Sequence, residues 1–278
     1  MKISLVTISY NQDRFLEEAI QSVLDQDYPD LEYIVVDPGS TDRSRDIIEN
    51  FGDRIGSVIL SPDNGPAQGL NHGFARASGQ VFGFLNADDL LLPGALKDIA
   101  TAFQENRGAD VVAGHGWIID EFRNTVRKKH SQRFNAWRYL HRGAYLLQQA
   151  TFFRADAFRK AGGFNESNRT CWDGELWLDM ALAGCRFHIL DQDLACFRVY
   201  QTSLSGQVAD GGEPQRLYEW DRNRMFRMAT GRDPRGIHYR VSWFAAQLLK
   251  WSSNPAAFAT SIRSLAATKQ ALRSVEAQ

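Results

Sequence analysis

Four short apolar runs each end abruptly in polar residues, and helical periodicity separates one run from the next. Nothing else constrains the fold as strongly. The first run is Ile3 to Ser9, which ends at Tyr10-Asn11. The second is Leu31 to Val36, followed by Asp37-Pro38-Gly39-Ser40-Thr41-Asp42. The third is Ser57 to Leu60, followed by Asp63-Asn64-Gly65-Pro66. The fourth is Val81 to Leu85, closed by Asn86-Ala87-Asp88-Asp89. Unbroken β-branched and aromatic runs are the pattern of strands buried on both faces. Between them, Asp13 to Gln26 carries Phe15, Leu16, Ala19, Ile20, Val23 and Leu24 at helical spacing. Ile47, Ile48 and Phe51 mark a second helix, with Ser40, Thr41 or Asp42 as its cap, and Ala67 to Ala77 is a third. Four such units in about ninety residues predict a mostly parallel sheet with helices on both faces. In such sheets ligands bind beyond the carboxyl ends of the strands.

That places three polar strand ends in one crevice: Thr7, Ser9 and Asn11; Asp37 and Asp42; Asn86, Asp88 and Asp89. Taken alone, Asn86 to Asp89 reads equally as a capped turn or as a site. Adjacent carboxylates are costly to bury without compensation, and a divalent cation with a phosphorylated ligand supplies it. The convergence of three strand ends favours the site.

Further along, Ala95 to Phe103 reads as a helix, and Asp110 to Ala113 and Trp117 to Phe122 as strands. The basic stretch from Arg123 to Arg142 reads as a solvated loop and helix face, or as a phosphate-attracting rim. Ala150 to Phe153 is a strand leading into the helix Ala155 to Lys160, which Gly162-Gly163 ends. Trp172 to Leu178 opens a helix whose first turn carries Asp173 and Glu175. That is an acidic helix start or a general base facing the crevice. Phe187 to Leu190 and Leu194 to Tyr200 are two more strands. From about Gln207 the pattern changes to a Gly-rich linker and three helices: 215–228, 237–251 and 255–275. The last two are basic and aromatic, suited to a membrane surface, a dimer contact or packing on their own domain.

Several classes are poorly supported. There is no G-x-G-x-x-G after the first strand and no G-x-x-x-x-G-K-[ST], which disfavours dinucleotide dehydrogenases and P-loop NTPases. A net charge of −1 gives no argument for nucleic acid. Cys171, Cys185 and Cys196 lack metal-ligand spacing and fit free thiols. No apolar run approaches the ~20 residues of a spanning helix, and no signal-like start is visible. A cytoplasmic protein, peripheral at the inner face of the membrane if it touches it, is the expectation.

In order, Thr7-Ile8-Ser9-Tyr10-Asn11, Val35 to Asp42, Asp63-Asn64-Gly65 with Asn71-His72-Gly73, Leu85 to Asp89, Gly162-Gly163-Phe164 and Asp173 to Trp177 form a set. The set resembles glycosyltransferase family 2, enzymes of the GT-A fold that use nucleotide-sugar donors. The resemblance covers about residues 1–206. It implies an α/β, Rossmann-like mixed sheet, mostly parallel and flanked by helices. Residues 1–105 would bind nucleotide, 106–206 the acceptor, and 207–278 form a helical extension. It further implies that Thr7, Ser9, Tyr10, Asn11, Ser40, Asp42, Asn64, Gly65, Asn71, Asn86 and Ala87 serve the nucleotide sugar. Asp37 would accept from the base, which leans toward uridine, and Asn86 would reach the ribose. Asp88 would hold Mg²⁺ or Mn²⁺. Asp173 would be the general base of an inverting transfer, with Glu175 as the other candidate, and the acceptor would be a saccharide or lipid-linked. The sequence departs from the family pattern at Asn86 (for the first Asp of D-x-D), Trp172 (for Glu), His72 (for Lys or Arg) and near Tyr200 (for His). There is no Q-x-x-R-W, so a processive synthase is not expected. The competing readings are a non-catalytic binding protein of the same fold and a nucleotidyltransferase, which Tyr10-Asn11-Gln12-Asp13 in place of a basic Gly-rich loop disfavours.

Overall fold

A computed structural model describes residues 1–253. Its centre is a nine-stranded sheet. Strands β1 (Ile3–Ile8), β2 (Leu31–Val36), β3 (Ser57–Ile59) and β4 (Val81–Asn86) run parallel in the order β3-β2-β1-β4. Helices α1 (Leu16–Leu24), α2 (Ser44–Phe51) and α3 (Pro66–Arg76) connect them, so the expected β-α alternation is present. The sheet continues past β4 through β8 (Thr151–Arg154), β6 (Val111–Ile119) and β9 (Phe187–Arg198) to the short β5 (Leu90–Leu91). β4–β8, β6–β8 and β5–β9 are antiparallel, whereas β6–β9 is parallel.

Two apolar layers sandwich this sheet, because successive side chains of a strand point to opposite faces. Ile3 and Leu5 of β1 pack with Leu16, Ile20 and Val23 of α1 and with Leu96, Ile99 and Phe103 of α4 (Ala95–Glu105). Val6 packs on the other face with Leu70 and Phe74 of α3 and with Leu176 and Trp177 of α7 (Trp172–Leu182). Burying each such side chain stabilises the fold by about 1.5–3 kcal/mol.

Register explains why the polar strand ends meet. Ile8 lies opposite both Val36 and Asn86. Ser9 N–H then donates to Val36 O (2.9 Å) and Ala87 N–H to Ile8 O (3.1 Å). The residues just beyond β1, β2 and β4 therefore leave the sheet at one level. The chain runs from β1 to β2 on one side and returns at β4 on the other, so the crevice opens between β1 and β4.

Several sequence readings change. Asp110 to Ala113 and Trp117 to Phe122 are one bulged strand, β6, and the two C-terminal runs are likewise one strand, β9. Gly114-His115-Gly116 reads as a break, but a shift in register carries the chain through it. A Cβ on Gly116 would sit 2.1 Å from Ala195 O, so only glycine allows the two backbones to approach this closely. Part of the basic stretch is a strand, β7 (Thr125–Lys129), paired with β6, and a short helix, α5 (Ala136–Leu140), follows it. The expected linker is mostly helical. α8 (Leu204–Asp210) gives way to α9 (Gly212–Thr230) at Gly211 and Gly212, whose φ values of 96° and 74° break the helix. α6 (Ala155–Ala161) and α10 (Ile237–Ser253) agree with expectation, and the helix read at 255–275 lies outside the described residues. In α10, Ala246 and Gln247 are buried, and Gln247 donates to Arg142 O (3.0 Å), while Ile237, Val241, Phe244 and Leu248 stay exposed. Among the described residues no helix is long and apolar enough to cross a membrane.

Candidate active site

Two cavities lie beyond the carboxyl ends of β1 and β4, and they share Asn86, Trp172 and Leu204 in their walls. The first, about 670 Å³, is lined by Ser9, Tyr10 and Gln12 after β1, by Pro38 and Gly39 after β2, by Asp63 to Pro66, by Asn86 to Asp88, and by Tyr200 to Leu204 without Gln201. The second, about 610 Å³, contains Asp173.

Asp88 lines the first cavity, two residues from the shared Asn86. Tyr200 Oη donates to its Oδ2 (3.1 Å) and lies 3.3 Å from Gln12 Oε1. Burial raises the Asp88 pKa, and the Tyr200 hydroxyl and the nearby Arg198 charge offset this only partly. Asp89 points the other way and is fully buried. It accepts from Arg198 N–H (2.9 Å), Gln149 Nε2 (2.7 Å) and Asn86 Nδ2 (3.1 Å), which ties the turn to β9. Burial, then the adjacent Asp88 charge, pushes its carboxyl well above the usual range.

Arg198 secures this turn. Its guanidinium is 1% exposed and donates to Asp88 O (2.8 Å) and Glu18 Oε2 (2.8 Å) while lying 4.5 Å over the Phe15 ring. The guanidinium is thus spent on backbone and Glu18.

Asn86, Ala87, Asp88, Ser9, Tyr10, Asn64 and Gly65 are brought together around the first cavity. Other expected residues stand behind its wall. Asp37 is fully buried, and its carboxylate accepts from Gly39 N–H (3.0 Å), Ser40 N–H (2.8 Å), Ser40 Oγ (2.5 Å) and Arg45 Nε (3.3 Å). It therefore shapes the Pro38-Gly39 turn rather than facing the cavity. Asn11, at φ 52°, accepts from Thr41 N–H (2.8 Å), and Ser40 Oγ accepts from Asn11 N–H (2.9 Å). Asp42 accepts from the Asp13 N–H ahead of α1 and the Ser44 N–H at the start of α2 (both 2.9 Å). Thr7 is buried and bonds Tyr33 Oη (3.0 Å). Asn71 bonds Phe164 and Glu166. None of these residues is in the lining: Asp37, Asn11 and Asp42 satisfy loop N–H groups first, while Thr7 and Asn71 are taken up by distant partners.

The two acidic residues of α7 part company. Asp173 lines the second cavity, and its pKa is raised by burial, against the helix-start N–H groups and Arg222. Glu175 does not reach the cavity. Its carboxylate meets the fork of Arg224 (2.8 and 2.5 Å) and accepts from Asn165 (3.0 Å) and Asn168 (2.6 Å). Burial opposes ionisation there, but these partners together hold its pKa below the usual carboxylate range. Asp173 is thus the α7 carboxylate that lines the cavity, and Glu175 is held by Arg224.

Tyr218 and Arg222 of α9 and Lys250 of α10 also line the second cavity, as do Arg127 and Lys129 of β7. Within β7 the alternation of side chains separates Arg127 and Lys129 from Lys128, which pairs with Asp193 (2.9 Å). The basic stretch was a visible signal for the β7 pair, but Tyr218 and Arg222 carried none.

Residues 4–161 match the family model described as Glycosyl transferase family 2. The chain belongs to this family. An uncharacterized glycosyltransferase of Nostoc sp. is 40% identical over 131 residues, which are 44% of this chain and 40% of that protein. The GalNAc(5)-diNAcBac-PP-undecaprenol beta-1,3-glucosyltransferase of Campylobacter jejuni is 33% identical over 140 residues, 47% of this chain and 45% of that one. The chain thus spans less than half the length of either relative. The crystal structure of S. aureus TarS 1-349 in complex with UDP-GlcNAc superposes with a TM-score of 0.68 at 20% identity, covering 91% of this chain and 72% of that one. The architecture is accordingly the GT-A type.

Proposed function

We propose that the chain is an inverting glycosyltransferase that moves one sugar from a nucleoside diphosphate donor, with UDP favoured, to a hydroxyl of a saccharide or lipid-linked acceptor. One observation carries this reading. The two cavities meet at Asn86, Trp172 and Leu204, with Asp88 on one side of the junction and Asp173 on the other. The first cavity would take the donor. Ser9 Oγ and Asn86 Oδ1 are buried there without a hydrogen-bond partner. Buried polar atoms are rarely left unpaired, so a nucleoside suits them. The UDP-GlcNAc complex of the similar S. aureus fold supports a uridine donor.

Asp63 and Asp88 line that cavity, and no Lys or Arg does among the described residues. A diphosphate set against two carboxylates needs a cation, and Mg²⁺ or Mn²⁺ takes oxygen ligands from a carboxylate, phosphates and water. Among the described residues no three His, Cys, Asp or Glu side chains cluster to form a complete site. Asp88 would therefore hold the ion, with donor oxygens and water as its other ligands. When bound, the ion supplies positive charge to the departing diphosphate.

In the second cavity the Asp173 carboxylate removes the acceptor hydroxyl proton. The acceptor oxygen forms its bond to the anomeric carbon from the face opposite the diphosphate. The anomeric C–O bond breaks, its electron pair leaves with the nucleoside diphosphate, and the configuration inverts. A raised pKa makes Asp173 a better base, provided that it is ionised. The Campylobacter relative's named acceptor, joined to undecaprenol through PP, supports the lipid-linked option.

UDP, GDP and dTDP are each tested for thermal stabilisation with and without Mn²⁺, and a metal-dependent shift with UDP is expected. Asp173→Asn should keep that shift and lose transfer by about 10²–10⁴-fold. Stabilisation by no nucleotide, or full transfer in the variant, would overturn the reading.

A further inference from the structure

Charge is divided unevenly between the two cavities. Among the described residues, the donor side has carboxylates and no basic side chain in its lining. Among them the second cavity is lined by Arg127, Lys129, Arg142, Arg222 and Lys250, with Asp173 as its one carboxylate. Among the described residues, Arg127, Lys129, Arg142 and Arg222 make no ion pair with a carboxylate.

Two of these cations are fixed in the wall by aromatic rings. Arg222 is half-buried, where it lies 4.5 Å over the Tyr139 ring and donates to Tyr139 O (2.9 Å). Lys129 lies 4.0 Å over the Tyr145 ring. Burial, then the like charges of Arg127 and Lys250, pulls its pKa down to about 8. Mutually repelling cations around an open cavity destabilise the empty fold, and an anion bound among them reverses that. A solvated basic face would leave its charges spread over the surface. Here four elements direct them into one space.

We propose that the acceptor is a phosphate-bearing molecule whose phosphate or diphosphate group binds among Lys129, Arg127 and Arg222, beside the hydroxyl presented to Asp173. This rests on the reading of the second cavity as the acceptor site. Arg127, Lys129, Arg142 and Arg222 against Asp173 suit a group carrying two or more negative charges better than a lone carboxylate. Arginine also offers paired N–H groups to phosphate oxygens. A lipid diphosphate and a soluble sugar phosphate share this chemistry, and the test separates the two.

Calorimetric titrations use the whole chain saturated with UDP and Mg²⁺, so that the donor side is filled. The ligands are geranyl diphosphate, glucose 1-phosphate, glucuronate and glucose. The proposal expects at least one phosphate ester to bind tenfold or more tightly than glucuronate and glucose. Geranyl diphosphate alone would identify the lipid source, and glucose 1-phosphate the soluble one. In the Arg127→Gln, Lys129→Gln double variant this binding should fall at least tenfold. Its unliganded melting temperature should hold or rise, because repulsion is relieved. Equal binding of glucuronate or glucose, no phosphate binding, or an unaffected double variant would overturn the proposal. If UDP stabilises the chain and phosphate esters do not bind, only this inference fails. If UDP itself does not stabilise the chain, the transferase reading fails with it.

Discussion

Arg198→Met isolates what the buried guanidinium does for the Asp88 turn. Methionine keeps most of the apolar stem and removes the charge and the fork. Asp88 O loses a 2.8 Å donor, which costs about 1–3 kcal/mol for a buried carbonyl. The contact over Phe15 at 4.5 Å contributes about 1 kcal/mol. Glu18 adds little, because its side chain is 39% exposed and Arg123 stays 3.6 Å away. Asp120 O and Glu121 O, both at 3.4 Å, are weak acceptors. Relief from burying the guanidinium offsets part of the loss. The net expectation is about 1–3 kcal/mol by urea unfolding, or a melting temperature lower by about 2–12 °C. A second effect is electrostatic. Arg198 helps keep Asp88 ionised, so its loss should move the onset of UDP–Mn²⁺ stabilisation to higher pH. Arg198→Lys should fall between, since one ammonium cannot satisfy the same set of acceptors. A Met variant within 0.5 kcal/mol of wild type, with unchanged pH dependence of the UDP response, would refute the role given to Arg198.

Glu175→Gln should destabilise the chain by about 2–4 kcal/mol, because it leaves Arg224 with only the longer pairing to Asp221 (3.5 Å). UDP stabilisation should persist in it, and a loss of UDP binding without a loss of stability would return Glu175 to the site. Gly116→Ala should cost about 2–3 kcal/mol in chemical denaturation, since the new methyl meets Ala195 backbone in both strands' closest approach. A neutral result would mean that the β6–β9 register relaxes freely. The raised Asp173 pKa sets two pH trends of opposite sign. Transfer should rise as pH passes upward through the folded-state value, while any stability this carboxyl contributes is present at low pH and is lost over the same interval. Asp173→Asn should therefore melt at or above wild type at pH 8, and the difference should disappear at pH 4. A variant markedly less stable at pH 8 would contradict the raised pKa.

Much of the architecture was legible in local pattern. Runs such as Leu31 to Val36 and Val81 to Leu85 can be nothing but strands when helical periodicity flanks them. Parallel pairing then obliges their polar ends to meet. Asn86, Asp88 and Ser9 reach the crevice for that reason, and Asp173 was readable as a carboxylate at a helix start. The departures from the sequence reading have a common cause. Asp37 and Asn11 read as cavity residues, but the loop geometry that turns them onto neighbouring N–H groups is not written in residue type. Gly114 to Gly116 looks like a break until Ala195, some eighty residues later, is seen to need the space.

By itself, then, the sequence determined the β-α alternation, the side of the sheet on which a site must lie, and the residues from which it could be built. Only the tertiary structure chose among them. Asp173 and Glu175 are two residues apart, and at about 100° per residue they leave α7 in opposed directions. One enters the cavity and the other meets Arg224, 49 positions along the chain. Which carboxylate is left for chemistry is decided by where α9 comes to rest, and that is a property of packing between distant segments.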